Sequence, residues 1–361
     1  MERMAQKSRS ACLKVPKIYG EQAINLANSM NILDTRLKIV SQNDSLYIPL
    51  VRRTRQRELQ TIKEAVANCH VLIRQFAERL ETKPTHLELM KGKIPEHLLP
   101  SVPRAIDFVG EIAIIEIPPA LFAYRNTIGQ SILKAHRRVK TVLAKGGAVR
   151  GKFRLRDFDV IAGKHTTETI HKEYGCRYYV DVARAYFSPR LSFEHKRVTS
   201  LTREGETVVD LFAGVGPFTI LIARTHKDVR IFAVDMNPDA IQCLETNVRL
   251  NRVSGKAVPI LGEAKRTVEE RLRGLADRVI MNLPGSAIEY VAAACEALKL
   301  AGGILHFYSF VDAARKLEDV KLSLVASVEE CGRRVEKILF TRVVRATAPY
   351  ERQVVLDLEI H

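Results

Sequence analysis

The chain offers its chemistry first in the run Thr207-Val-Val-Asp-Leu-Phe-Ala-Gly-Val-Gly-Pro-Phe-Thr219, where an apolar strand passes into a glycine-rich turn and a helix start. An acid at the end of a buried strand, followed by Gly214 and Gly216, lets the backbone approach a ligand while the Asp210 carboxylate faces it. Thr219 stands where a dinucleotide fingerprint needs a small residue against the strand, so a pyrophosphate-bearing cofactor fits poorly. A second strand, Val229-Arg-Ile-Phe-Ala-Val-Asp235, ends in another acid about 25 residues after the first, roughly the offset at which a carboxylate meets ribose hydroxyls. Two strand-end carboxylates without a phosphate cradle point to S-adenosylmethionine.

A third strand end, Val279-Ile-Met-Asn-Leu-Pro-Gly-Ser286, puts Asn282 at the carboxyl edge of the sheet, where open α/β folds bind ligands. An amide both donates and accepts, so Asn282 can read the edge of a purine. The aromatic residue that usually follows such a motif in enzymes methylating exocyclic amines is missing. No Pro-Cys pair supplies the nucleophile of covalent pyrimidine chemistry. Methylating a ring nitrogen that bears a proton, such as guanine N1, instead needs a base for that proton and a cation for the charge left on the neighbouring oxygen. In Tyr186-Phe-Ser-Pro-Arg-Leu-Ser-Phe-Glu194, Glu194 is a candidate base, although a glutamate before a helix also serves as a cap or a solvated charge. Arg154 or Arg156 is a candidate cation; each fits a phosphate contact equally well.

The elements that must position these groups form an α/β chain in three parts. Residues 199–361 alternate strands (207–212, 229–235, 257–261, 277–282, 303–309) with helical patterns and finish in two strands, 337–344 and 353–359. That is a doubly wound, seven-stranded Rossmann-like sheet with an antiparallel hairpin at its edge. Residues 96–198 read as an α+β middle domain with a strand over 110–117, a helix near 128–143 and strands 159–162 and 177–181. Residues 1–95 read as a small α/β module and linker. Its strands are 11–15, 37–40 and 45–50, its first helix runs from Gly20 to Met30, and one long helical face joins Leu59, Ile62, Val66, Cys69, Ile73, Phe76 and Leu80.

The whole chain has 361 residues, with 57 Lys and Arg against 41 Asp and Glu, a net charge of +16 that favours a polyanionic partner, nucleic acid above all. Basic stretches lie at 52–57, 134–140 (with Arg137 and Arg138) and 150–156. The six cysteines, at 12, 69, 176, 243, 295 and 331, make no C-x-x-C pair, which argues against zinc and a disulfide framework and for a reducing compartment. No apolar run reaches the ~18 residues of a spanning helix and the N-terminus lacks a signal's hydrophobic core. A cytoplasmic protein with no membrane partner is expected.

The set Phe153-Arg-Leu-Arg156, Ala162-Gly-Lys-His-Thr-Thr-Glu-Thr-Ile-His171-Lys-Glu-Tyr-Gly175, Tyr186-Phe-Ser-Pro-Arg-Leu191, Glu194, Asp210-Leu-Phe-Ala-Gly-Val-Gly216 and Asn282-Leu-Pro284 closely resembles the archaeal and eukaryotic tRNA (guanine37-N1)-methyltransferases over nearly the whole chain. The retained Asn-Leu-Pro resembles the guanine-specific archaeal branch rather than the branch acting on wyosine precursors. The resemblance implies methyl transfer from S-adenosylmethionine, without metal, to N1 of the guanosine 3′ to the anticodon. It implies Glu194 as general base, Arg154 as the cation at O6, and Asn282 and Tyr186 positioning base and cofactor. Cofactor contacts are implied for Asp210, Phe212, Gly214, Gly216, Asp235, Met236, Glu263, Ala264, Asn282 and Pro284, although the family prefers Asp where Glu263 stands. RNA contacts are implied for Arg190, Arg156, Arg137 and Arg138. The N-terminal module is expected at the tRNA outer corner, the rest of a monomer at the anticodon stem-loop. Alternative readings are a methyltransferase of another RNA or of a wyosine precursor, and a non-catalytic RNA-binding protein.

Overall fold

Alternating apolar residues in Ala11-Cys-Leu-Lys-Val15 build a strand that buries Leu13 and Val15 on one face, β1 (Lys7–Pro16). It lies within a computed structural model that describes residues 7–78, 84–147, 151, 153, 155–312, 317–348 and 350–361. The chain divides into two compact units, Met1–Pro84 and Thr85–His361.

In the first unit β1 is followed by α1 (Gly20–Ser29), β2 (Val40–Gln42), β3 (Ser45–Pro49), α2 (Gln56–Ala65) and β4 (His70–Ala77). The sheet order is β2-β3-β1-β4, all pairs antiparallel. The long helical face expected from Leu59 to Leu80 does not form. α2 stops at Ala65, Asn68 turns the chain at a φ of +58°, and His70–Ala77 pairs with the second edge of β1. Backbone pairing decides this: β1 carries core residues, and its second row of N–H and C=O groups needs partners. Leu80 lies outside the described residues. Leu37, expected in a strand, makes one isolated bridge to Glu78, and β2 starts only at Val40.

In the second unit the stretch holding Pro95, Pro100 and Pro103 is part of a core. Met90, Ile94 and Val102 pack with Ile115, Leu121, Ile128, Ile132, Val142 and Ile161. The sheet β5 (Ile106–Val109), β6 (Ile112–Ile115), β7 (Thr141–Lys145), β8 (Phe158–Gly163) runs in that order, with β6 and β7 parallel and α3 (Arg125–Ala135) between them in sequence. The expected strand 110–117 is thus shortened, because Gly110 turns the chain at a φ of +55°. The expected helix 128–143 ends at Ala135, and Thr141, Val142 and Leu143 are strand residues buried on both faces. A hairpin of β9 (Glu168–Glu173) and β10 (Cys176–Asp181) follows, of which only β10 was legible as a strand.

The remaining elements are α4 (Ser192–Leu201), β11 (Thr207–Asp210), α5 (Pro217–Thr225), β12 (Arg230–Asp235), α6 (Pro238–Leu250), β13 (Ala257–Leu261), α7 (Ala264–Thr267), β14 (Arg278–Met281), α8 (Val291–Ala297), β15 (Gly303–Asp312), α9 (Leu317–Glu330), β16 (Val335–Ala348) and β17 (Glu351–Ile360). The sheet order is β13-β12-β11-β14-β15-β17-β16; the first five strands are parallel and the β16/β17 hairpin is antiparallel. Neighbouring residues face opposite cores: Val208, Ile280 and Tyr308 one, Val209, Val279 and Phe307 the other. Helices on both faces explain why these strands read as continuous apolar runs.

Two asparagines on α6 dock the β9/β10 hairpin to this sheet. Asn247 accepts from the Tyr179 N–H at 2.6 Å and Asn251 from the Arg177 N–H at 2.9 Å, and both amides donate back to the same residues' carbonyls. Four residues of helix rise about 6 Å and two of strand about 6.6 Å, so the spacings match.

Candidate active site

β11 lies between β12 and β14, so chain direction across the sheet reverses there and a crevice opens at the carboxyl ends of the strands. A cleft of about 480 Å3 occupies that place, within the size range of pockets for drug-sized ligands. Gly216 caps α5 at a φ of +86°, and a Cβ on it would meet Leu244 Cδ1 at 2.2 Å. The turn is therefore closed to larger residues. The Gly214 N–H donates to Asp235 Oδ2 at 2.7 Å and the Asn237 N–H to Oδ1 at 2.9 Å. These bonds fix the Asp235 carboxylate at the cleft's edge, while burial raises its pKa.

Phe212, Met236 and Ala264 form an apolar stretch of the same lining, with Tyr290 edge-on to Phe212 at 5.0 Å between ring centroids. An apolar slot with an acid at its rim suits an aromatic base carrying a ribose diol. Glu263 lines the slot too, but its carboxylate caps α7 through the Arg266 N–H at 3.0 Å. Gly214, Asn282 and Pro284 complete this side.

Asp210 is not part of the lining. It is fully buried behind the turn, where Oδ2 accepts from Thr219 Oγ1 at 2.9 Å. Burial, with the Asp235 charge adding, pushes its pKa up to about 7. Thr219, the residue at odds with a dinucleotide fingerprint, thus ties α5 to the strand end.

The opposite wall carries Tyr186, Leu191, Phe310 and Gln353. Here Arg345, on β16, makes a junction: its Nη2 donates to Tyr186 Oη at 3.2 Å, Nη1 to Ser188 Oγ at 3.0 Å and Nε to Gln353 Oε1 at 2.9 Å. Gln353 Nε2 donates on to Asn282 Oδ1 at 3.4 Å. Tyr186 and Asn282, about 100 residues apart in sequence, are joined through two residues that sequence reasoning missed. They leave no trace in the sequence, because the same two strands carry other charged residues such as Arg342, Arg352 and Asp357.

Glu194 sits in the first turn of α4, one turn beyond the lining residue Leu191, and is 1% exposed. It does not line the cleft. Its Oε2 accepts from Tyr308 Oη and from Arg197 Nε, each at 2.8 Å, and Oε1 has no partner among the described residues. Tyr308 lies two residues before Phe310 along β15, about 7 Å at strand rise, so the carboxylate is held one layer beneath the cleft floor.

Arg154 lies outside the described residues, as do Arg150 and Lys152 of the same basic stretch. Gly151 and Phe153 border the cleft and Arg156 is half-buried. Arg190 pairs with Asp107 at 2.5 Å. Arg137 and Arg138 are exposed in the turn after α3, not on the helix.

Three family models match the chain: the TRM5/TYW2 methyltransferase domain over residues 169–336, the TYW2 N-terminal domain over 87–166 and the tRNA methyltransferase 5 N-terminal domain over 12–57. The tRNA (guanine(37)-N(1))-methyltransferase Trm5b of Pyrococcus abyssi is 36% identical over 96% of this chain and 98% of its own length. The solved complex of aTrm5 with tRNALeu superposes with a TM-score of 0.67 at 31% identity, covering 97% of this chain and 99% of that one. TYW2 of Methanocaldococcus jannaschii, solved with AdoMet, gives a TM-score of 0.55 at 27% identity over 71% of this chain and 99% of that one.

Proposed function

The chain belongs to the TRM5/TYW2 family of methyltransferases, and from that premise we propose that it transfers a methyl group from S-adenosylmethionine to N1 of the guanosine 3′ to the tRNA anticodon. The observation that carries this reading is the convergence of Gly214, Asp235, Asn282, Pro284 and Tyr186 on one cleft, in a chain that matches Trm5b from end to end.

S-adenosylmethionine supplies the electrophilic methyl when bound. Asp235 is the acceptor for a ribose diol, and Phe212, Met236 and Ala264 are the apolar surface for an adenine. Asp210 acts from behind, holding α5 and the glycine turn through Thr219. Tyr186 on the other wall and Asn282, linked to it through Arg345 and Gln353, position the target purine. Glu194 takes the N1 proton and Arg154 holds the charge that develops on O6. Because Glu194 is buried one layer down, its use as a base requires the floor between Leu191 and Phe310 to open when the loop nucleotide enters. A loop base is splayed for a few kcal/mol at most, so no duplex has to be melted.

Arg156, Arg190, Arg137 and Arg138 are assigned to tRNA phosphates, and the first unit, with its exposed Arg52, Arg53, Arg55 and Arg57, to the tRNA outer corner. The enzyme works as a cytoplasmic monomer. Among the described residues no helix is long and apolar enough to cross a membrane.

The test is methylation of a G37 transcript beside its A37 counterpart, with the product mapped by mass. N1-methylguanosine on the first transcript alone is expected. Methyl on the exocyclic N2, or equal transfer to A37, refutes the assignment. Glu194→Gln is expected to lower single-turnover methyl transfer by 100-fold or more, on the scale of a lost general base (roughly 10^2–10^4-fold), with tRNA affinity nearly unchanged. Equal losses in both would make Glu194 a binding residue.

A further inference from the structure

Beneath the cleft floor runs a buried chain of polar side chains that no sequence motif announces. Glu194 on α4 meets Arg197 on the same helix and Tyr308 on β15. Arg197 also pairs with Asp357 on β17, through Nη1 and, at 3.2 Å, through Nη2. Asp357 Oδ1 is 2.7 Å from His306 Nδ1, and His306 Nε2 is 2.7 Å from Arg278 Nη1. Arg278 ends the chain on Glu206 and the Leu201 carbonyl. Glu194, Tyr308, Asp357 and His306 are each at most 1% exposed.

The polarity of this chain is fixed by its arginines, which only donate. Arg278 donates to His306 Nε2, so that nitrogen carries no proton and Nδ1–H must donate to Asp357. His306 is therefore neutral, as its burial, which lowers its pKa, also favours. Asp357 accepts from His306 on one side and Arg197 on the other; burial works against its charge, but these donors outweigh it and hold its pKa below the usual range. Arg197 is thereby locked in place, with Phe340 of β16 against its guanidinium at 4.5 Å. Its Nε and the Tyr308 hydroxyl then fill a single oxygen of Glu194. The α5 side of Tyr308 is Phe218, which carries no charge, and His195, next to Glu194, is turned away to Glu173 at 2.8 Å.

We propose that Arg197 and Tyr308 are positioning residues for the general base. They saturate Oε2 of Glu194 from below and leave Oε1 as its one open proton acceptor, while Asp357 and neutral His306 hold Arg197 in register. The proposal rests on the reading of Glu194 as the base. It gives the chain a function that packing alone does not require, since a buried ion cluster is weak evidence for stability. Asp357 shares the Arg197 charge and keeps that cation paired when Glu194 is neutralised by the arriving proton.

The experiment is the pH profile of single-turnover methyl transfer with a G37 transcript, on the full chain, for wild type, Glu194→Gln, Arg197→Met, Arg197→Lys and Tyr308→Phe. Removing a cation or a donor from the ionised carboxylate makes protonation easier, so the acid limb should move to higher pH. The expected shift is about one unit in Arg197→Met, roughly a tenfold slower reaction on that limb, and a smaller shift of the same sign in Tyr308→Phe. Arg197→Lys should restore part of the shift. Arg197→Met also strands Asp357, at a cost to folding, whereas Tyr308→Phe removes only a hydroxyl and keeps the test decisive. A Tyr308→Phe enzyme with an unmoved acid limb, beside an inactive Glu194→Gln, overturns the positioning role alone. An active Glu194→Gln overturns the base reading itself, and the positioning role with it.

Discussion

Asp210→Asn isolates the cost of a charge buried behind the cofactor turn. The carboxyl is wholly buried, one oxygen bonded to Thr219, and its pKa is raised from 3.8 to about 7, burial being the largest cause. For an acid whose folded pKa lies above its unfolded one, the folded state binds the extra proton. The associated stability is complete below pH 3.8 and is lost as pH rises through about 7. The full shift of about 3 units corresponds to a ceiling of about 4 kcal/mol, of which roughly 2 to 3 kcal/mol falls between pH 5 and pH 8. Asparagine still accepts from Thr219 and does not titrate. Its amide N–H groups add an offset that does not depend on pH, and other titrating groups cancel in the difference. The stability of Asp210→Asn relative to wild type should therefore rise by about 2 to 3 kcal/mol from pH 5 to pH 8, read by urea unfolding at matched ionic strength. A difference that stays flat across that range refutes the burial argument. Calorimetry with S-adenosylmethionine on the same variant separates bracing from contact: near wild-type affinity supports the bracing assigned to Asp210, and lost affinity with an intact fold makes it a ligand.

Gly216→Ala combines left-handed backbone strain of about 1–2 kcal/mol with an overlap on Leu244 worth about 1–3 kcal/mol, and should lower stability by about 2–5 kcal/mol in urea unfolding. In a Leu244→Ala background the same change should cost only the strain, because the overlapping methyl is gone; an undiminished cost would show that Leu244 is not the obstacle. Arg345→Ala unties Tyr186, Ser188 and Gln353 at once, and is expected to lower kcat on G37 tRNA at least tenfold while leaving S-adenosylmethionine affinity within a few-fold. In a Tyr186→Phe background the Arg345→Ala loss should shrink, and full additivity of the two would deny that they act together.

The sequence alone determined the doubly wound sheet, its terminal hairpin and the cofactor edge of the cleft. Those features are local. Strands buried on both faces read as apolar runs, and a turn needing positive φ needs glycine, so Gly214, Asp235 and Asn282 of the cleft lining, and Gly216 of the turn, declare themselves within short windows. Where one pattern served two periodicities the sequence misled: Ile73 and Phe76 continue the helical face of Leu59, Ile62, Val66 and Cys69, and only the unpaired edge of β1 decided for a strand. Tertiary structure alone decided that Asp210 lies behind the turn, that Arg345 and Gln353 tie Tyr186 to Asn282, and that Arg197 and Tyr308 fill one oxygen of Glu194 with Asp357 and His306 behind Arg197. These contacts join residues tens to more than a hundred positions apart across strands that pair out of chain order. A hydrogen bond depends on where the backbone has already brought its two ends, and no spacing along the chain encodes that.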